Sequence, residues 1–215
     1  MAQLSAGKLR ANHAQLALAL EAETEVDAEA VAGHLFSAGD RARAAHYAER
    51  AAEEAIAKLA FDHAARLLRM AIDNTQASPE EVRRLRTRLA TVFEWAGLGD
   101  EAARAYVEAA AGAPPLQRAE LERAASIELL ASGRIVEGTA VLHRVLGAVG
   151  LSAPGSVLNA VYWLIVYRVR LALRSRAGFR FESRAPDAIA RLDRARVDSV
   201  FSAAIGFAFT NAGRR

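Results

Sequence analysis

The residues best equipped for chemistry are five histidines, an acidic cluster and a strip of arginines. The histidines are His13, His34, His46, His63 and His143, and no two of them stand four apart. None lies in a His-Glu-x-x-His arrangement. A zinc centre needs three or four converging ligands, and His34 with His46 across one turn supplies two, so no metal site is expected. His63, beside Asp62, reads as a turn residue at a helix start. The chain has no cysteine, which excludes a thiolate metal site, a cysteine nucleophile and a disulfide framework. Ala6-Gly7-Lys8-Leu9 pairs Gly with Lys but lacks the upstream Gly and the Ser/Thr of a phosphate-binding loop. The glycine-rich loop, strand lysine, acidic base and metal-binding Asp of a kinase are missing too. Glu21, Glu23, Glu25 and Asp27 cluster at a helix junction with no apolar pocket around them, and read as solvated. The expectation is a non-enzyme with no catalytic residues and no cofactor.

The arginines carry the sharpest signal. Arg168, Arg170, Arg174, Arg176, Arg180 and Arg184 follow the apolar stretch Val157–Tyr167, which is 11 residues long and too short to span a bilayer. Arg170 and Arg174 share a helix face, with Trp163 and Tyr167 one to two turns before them. Such a strip could hold phosphates while rings stack on bases, a nucleic-acid reading of Arg168–Arg184. The competing reading makes Tyr162, Trp163, Leu164 and Tyr167 core, covered by arginine stems whose heads stay wet. The second is favoured, and Val157–Tyr167 is expected to be a buried helix. Net charge is +3, yet from residue 150 on there are 11 Arg against 4 acids, or +7, while residues 1–149 hold 17 basic and 21 acidic groups, or −4. Such a basic third suits nucleic acid, an anionic membrane or an acidic protein neighbour, and the protein neighbour is favoured. Arg168, Arg170, Arg174 and Arg176 are therefore the candidate partner-binding residues.

These groups must be positioned by helices. Apolar residues make up 53% of the chain and aromatics 7%, with 51 Ala and 26 Arg against 2 Lys. A core of Ala and Leu wants closely packed helices. Val141, Leu142, Val145, Leu146 and Val149 repeat the stripe set by Ala102, Ala103, Tyr106, Val107 and Ala110, which is the 3.6-residue period of a one-sided helix. No run has the period of a strand. Ser78-Pro79-Glu80-Glu81 is a helix start, and Gly97, Gly112 and Gly133 sit where helices stop. The pattern predicts helices near 4–22, 26–37, 41–58, 61–74, 79–96, 100–111, 115–132, 135–149, 155–176 and 186–212. Short connections force neighbours antiparallel. The apolar run Leu16–Leu20 is too short for a signal peptide and runs straight into Glu21, which points to a cytoplasmic protein with no membrane span.

Four turns repeat one form, a turn residue followed five positions later by a small residue at a tight crossing. They run from Gly39 to Ala44, Leu59 to Ala64, Gly97 to Ala102 and Gly133 to Gly138. The stretch from Leu89 through Gly97 and Ala102 to Ala110, closing on Pro114, resembles a tetratricopeptide repeat. It departs from the family in lacking the early Trp and in placing Leu59 where Gly belongs. Gly33–Ala52, followed by Ala60–Ala71, is similar to the helical region after the ATPase module in large bacterial signalling proteins, namely multidomain serine/threonine kinases and ATP-binding transcriptional regulators.

These resemblances imply an all-α fold of antiparallel helix pairs stacked as a right-handed superhelix, with repeats over 1–150 and a longer basic helical hairpin over 151–215. The expected function is a non-enzymatic protein-interaction or sensor scaffold in signal transduction, its partner another protein or domain on the concave surface. A kinase-regulatory segment is the alternative the resemblance itself implies. In the last helix Ile189, Leu192, Val200, Phe201, Ala204, Ile205 and Ala208 would form one apolar face, with Phe207 and Phe209 on another. A helix apolar on two sides expects neighbours on both, so the chain reads as cut short at 215.

Overall fold

The computed structural model describes residues 6–75, 77–151, 157–176, 178 and 190–212. Ten helices occupy most of them, and no strand occurs among the described residues. They are α1 (Ala6–Glu21), α2 (Ala28–Ala38), α3 (Arg41–Ala57), α4 (Phe61–Asn74), α5 (Pro79–Trp95), α6 (Gly99–Ala110), α7 (Pro115–Ala131), α8 (Ile135–Ala148), α9 (Val157–Arg176) and α10 (Arg191–Ala212). The all-α expectation holds, and the first nine helices fall within a few residues of their expected bounds. The expected start of the last, at 186, lies outside the described residues.

Local chemistry explains the starts. Asp27, Asp40 and Ser78 each turn a side-chain oxygen to the backbone N–H three residues on, at Ala30, Arg43 and Glu81. Each thereby satisfies a donor that the first helical turn leaves unpaired. Pro79 follows Ser78 at the first helical position, where a missing N–H costs nothing. Glu81 does not reach back to close a capping box, because its carboxylate is held by Arg84.

The four repeated turns are one structure. Gly39, Gly97 and Gly133 take positive φ of 92°, 73° and 84°, and Leu59 takes the same left-handed conformation at 58°. In every case the next N–H bonds the carbonyl five residues back: Asp40 to Leu35, Ala60 to Ala55, Leu98 to Phe93 and Arg134 to Leu129. This is the Schellman ending of a helix, normally reserved for glycine. The small residues five positions on, Ala44, Ala64, Ala102 and Gly138, are all buried. A built Cβ on Gly138 would lie 2.7 Å from Leu130 Cγ, so the crossing of α7 and α8 needs a residue without one.

Packing runs along the chain. Each helix from α1 to α8 lies against its sequence neighbours, and α10 returns to lie on α7 and α8. The main core threads α2 to α8 and is dominated by alanine, including Ala48, Ala52, Ala64 and Ala102, with Leu68 and Val92 as its larger members. Alanine loses little on entering a helix and lets axes approach closely, which is how a chain poor in aromatics fills its interior.

The C-terminal end holds one finding the pattern did not specify and one failed expectation. α10 buries Ala195, Ser199, Ser202 and Ala203, while Leu192, Val200, Phe201 and Ala204 are exposed. The small face wins because it permits a close approach to α7 and α8, and both serines satisfy their hydroxyls on carbonyls four residues earlier in α10. Ile189 lies outside the described residues, as do the side chains of Ile205, Phe207, Ala208 and Phe209. The failed expectation is α9, which packs face to face with none of the other described helices, so the expected hairpin with α10 is not formed among them. Leu158 is 84% exposed, and Tyr162, Leu164 and Tyr167 are each 60% or more exposed. The helix expected to be buried is a solvent-facing arm.

Candidate partner-binding surface

Odd-numbered helices meet across one side of the body through a ladder of ion pairs. Glu49 and Glu53 lie one turn apart on α3, and Arg84 and Arg88 lie one turn apart on α5. Arg84 Nη2 reaches Glu49 at 2.6 Å and Arg88 Nη2 reaches Glu53 at 2.5 Å. Arg88 is bidentate, its Nε donating to the other carboxylate oxygen at 2.8 Å. Arg84 also bonds Glu81 on its own helix. Hydrogen bonding from Glu81 and then Glu49 raises the pKa of the Arg84 guanidinium above its ordinary value, and Glu53 does the same for Arg88. Glu81 in turn is held below the usual carboxylate range by Arg84. These pairs are partly solvated, so they add little to stability, and their main effect is to fix where the cations stand.

Arg83 extends the ladder towards α7. Its Nη1 donates to Gln117 at 3.4 Å and its Nη2 to the Gly112 carbonyl at 3.1 Å, while its shielded Nε has no hydrogen-bond partner. Beside it opens a groove of about 660 Å³ lined by Ser78, Glu81, Arg84, Thr87, Arg88 and Gln117. Its lining residues are all polar or charged, and Arg84 and Arg88 among them are already oriented by their ion pairs.

Behind this groove α5, α6 and α7 enclose a smaller polar cluster. Tyr106 is buried and its hydroxyl donates to Glu94 Oε2 at 2.9 Å. Burial, reinforced by Glu94, pushes the phenol up to about 12. Burial and then the charge of Glu94 raise the Glu128 carboxyl above its ordinary value.

The other sequence candidates are scattered. His34 meets His13, not His46, with Nδ1 atoms 2.9 Å apart. His63 bonds Glu29 on α2 at 2.7 Å and Arg66 at 2.9 Å, tying α4 to α2. Among the described residues no group of three or more His, Asp or Glu converges. In the acidic cluster Glu21 pairs with Arg43 on α3, and Asp27 caps α2.

Arg168, Arg170 and Arg174 are exposed on α9. Arg176 ends that helix and its side chain lies outside the described residues, as do Arg180 and Arg184. Trp163 and Tyr167 stack with ring centroids 5.7 Å apart along the face that continues into Arg170 and Arg174. The arginine stems therefore cover no core, because the aromatic residues beside them are themselves exposed. The remaining packing positions, Gly39, Ala44, Ala64, Gly97, Ala102, Gly133 and Gly138, all lie at the four repeated turns, remote from α9 in sequence.

The α3–α5 ladder has a sequence signal: an acidic pair spaced four apart, then a basic pair spaced four apart, 35 residues later. That separation is one helix-turn-helix unit, which brings the two pairs into register. Comparison of the chain with protein-family models, with curated proteins and with solved structures finds no match.

Proposed function

We propose that this chain is a non-enzymatic scaffold for protein–protein interaction. In this reading the helix pairs stack as a tetratricopeptide-like right-handed superhelix, and a partner segment lies along the groove on α5 and α7. The recurrence of one left-handed turn at Gly39, Leu59, Gly97 and Gly133 supports the repeat architecture. A single helix pair cannot bury its apolar stripe alone, and stacked pairs share one core while leaving a continuous surface for a partner.

The observation that carries the binding role is the pair of oriented cations, Arg84 and Arg88, lining a polar groove between α5 and α7. Guanidinium N–H groups not used by Glu49, Glu53 and Glu81 would donate to backbone carbonyls of an extended segment. The resemblance to the helical regions of bacterial signalling proteins supports a role in signal relay, in the cytoplasm, beside a kinase or ATPase.

A photo-crosslinking amino acid at Thr87 tests this in cells, with Val107 on the opposite side as comparison. The expected result is a discrete cross-linked protein at position 87, absent from position 107 and abolished by Arg84→Glu with Arg88→Glu. Equal labelling at both positions, or a product indifferent to the charge reversal, refutes the groove.

A further inference from the structure

The scaffold reading leaves α9 without a task. Its large apolar side chains are exposed on opposite sides at once: Leu164 and Leu171 share one face, and Tyr162 and Leu173 lie nearly half a turn away. A helix that meets a protein groove is apolar on one stripe, whereas a helix apolar all round needs an apolar medium. The polarity of α9 changes along its axis instead. Its first 11 residues carry no charge and its last nine carry Arg168, Arg170, Arg174 and Arg176, with no acidic residue in the helix. Tyr162, Trp163 and Tyr167 stand at the transition, where amphipathic rings favour a boundary between hydrocarbon and water. Both ends of this segment return to one place, since Arg196 Nε on α10 donates to the Val149 carbonyl at 3.0 Å. α9 is thus displayed on a loop closed at the α8–α10 junction.

We infer that α9 inserts obliquely into one leaflet of an anionic lipid bilayer, its uncharged half among the acyl chains and Arg168, Arg170 and Arg174 at the lipid phosphates. No helix of the described residues is long and apolar enough to cross a membrane, so the uncharged half enters one leaflet and the arginines stop the helix at the headgroups. Arginine stems reach from an apolar setting to the headgroups. A second copy fits less well, because an α9–α9 contact sets like charges against each other. Nucleic acid fits less well too, because Leu158, Leu164, Leu171 and Leu173 have nothing to gain against phosphates.

The test uses the full chain carrying Trp95→Phe, so that Trp163 is its sole tryptophan. Vesicles of equal phosphatidylglycerol and phosphatidylcholine are titrated in, with phosphatidylcholine alone as comparison. Cosedimentation with the anionic vesicles and a blue shift of Trp163 emission are expected. Leu164→Asp with Leu171→Asp should abolish both, and Arg168→Gln, Arg170→Gln and Arg174→Gln together should weaken binding about a hundredfold. Circular dichroism should report an unchanged body, since α9 supports no other described helix. A chain that stays in the supernatant with anionic vesicles overturns the proposal. So does a concentration-dependent dimer removed by the Leu164/Leu171 pair, or α9-dependent binding of duplex DNA that displaces the vesicles.

Discussion

One helix offers the same substitution with opposite signs. Gly138 and Gly147 both lie in α8. At Gly138 an added Cβ would meet Leu130 Cγ at 2.7 Å, Leu130 Cδ2 at 2.9 Å and the Leu130 backbone nitrogen at 3.1 Å. Leu130 is 3% exposed, and a Cγ is a branch point that cannot swing aside as a flexible tip would, so α7 and α8 must separate. Overpacking of this kind costs roughly 1–3 kcal/mol, against about 1 kcal/mol gained in helix propensity. Gly138→Ala is therefore expected to lose up to about 2 kcal/mol. At Gly147 nothing lies within 4 Å of the added atom and the residue is exposed. Gly147→Ala should accordingly gain about 0.5–1 kcal/mol. Urea denaturation followed by circular dichroism measures both, and the midpoints should move in opposite directions with an unchanged slope. In thermal melts the separation amounts to several degrees for a chain of this size. Two shifts of the same sign would refute the view that close approach at the α7–α8 crossing sets the choice of glycine.

Three further outcomes follow from features already described. Leu59→Gly should stabilise by about 0.5–1 kcal/mol, because relief of the left-handed strain (about 1–2 kcal/mol) exceeds the entropy glycine loses on folding (about 0.5–1 kcal/mol), and a side chain 73% exposed forfeits little burial. Leu59→Ala, which keeps the strain, should leave the melting temperature nearly unchanged. Glu128→Gln should be more stable than the parent at neutral pH. Burial raises the Glu128 pKa, so the parent loses stability as pH rises from the unfolded carboxyl value near about 4.3 through the folded one. The gap between the two proteins should close by about pH 4, as read from melts across the range. Ala64→Leu, at a fully buried turn position, should cost about 1–3 kcal/mol by forcing α3 and α4 apart.

The helices and their turns were legible because their signals are local. A 3.6-residue stripe, a capping Asp or Ser and a glycine at the helix end act within a few residues, and even Leu59 could be aligned with the three glycines by position. α9 departs from its expected burial for a physical reason. A core helix and an apolar arm have the same composition, and only the presence of neighbours separates them. On α10, hydropathy ranks Val200 and Phe201 above Ser199 and Ser202, whereas helix approach rewards small size. The Glu49–Arg84 and Glu53–Arg88 ladder joins residues 35 apart on two helices, a separation at which single-helix patterns carry no information.

Packing between sequence neighbours makes the body from α1 to α6 close to one-dimensional in its energetics. A helix pair there is stabilised by its own contacts and by those on either side, so a lesson learned at one junction does not travel far. Damage at the α3–α4 crossing should loosen amide protection in α2 to α5 and leave α7 and α8 almost untouched. α10 changes the dimensionality at the other end. By lying across both α7 and α8 it closes a three-helix unit in which no member can fray alone, and hydrogen exchange there should be governed by one shared opening. The chain thus combines an end that opens stepwise with an end that opens all at once.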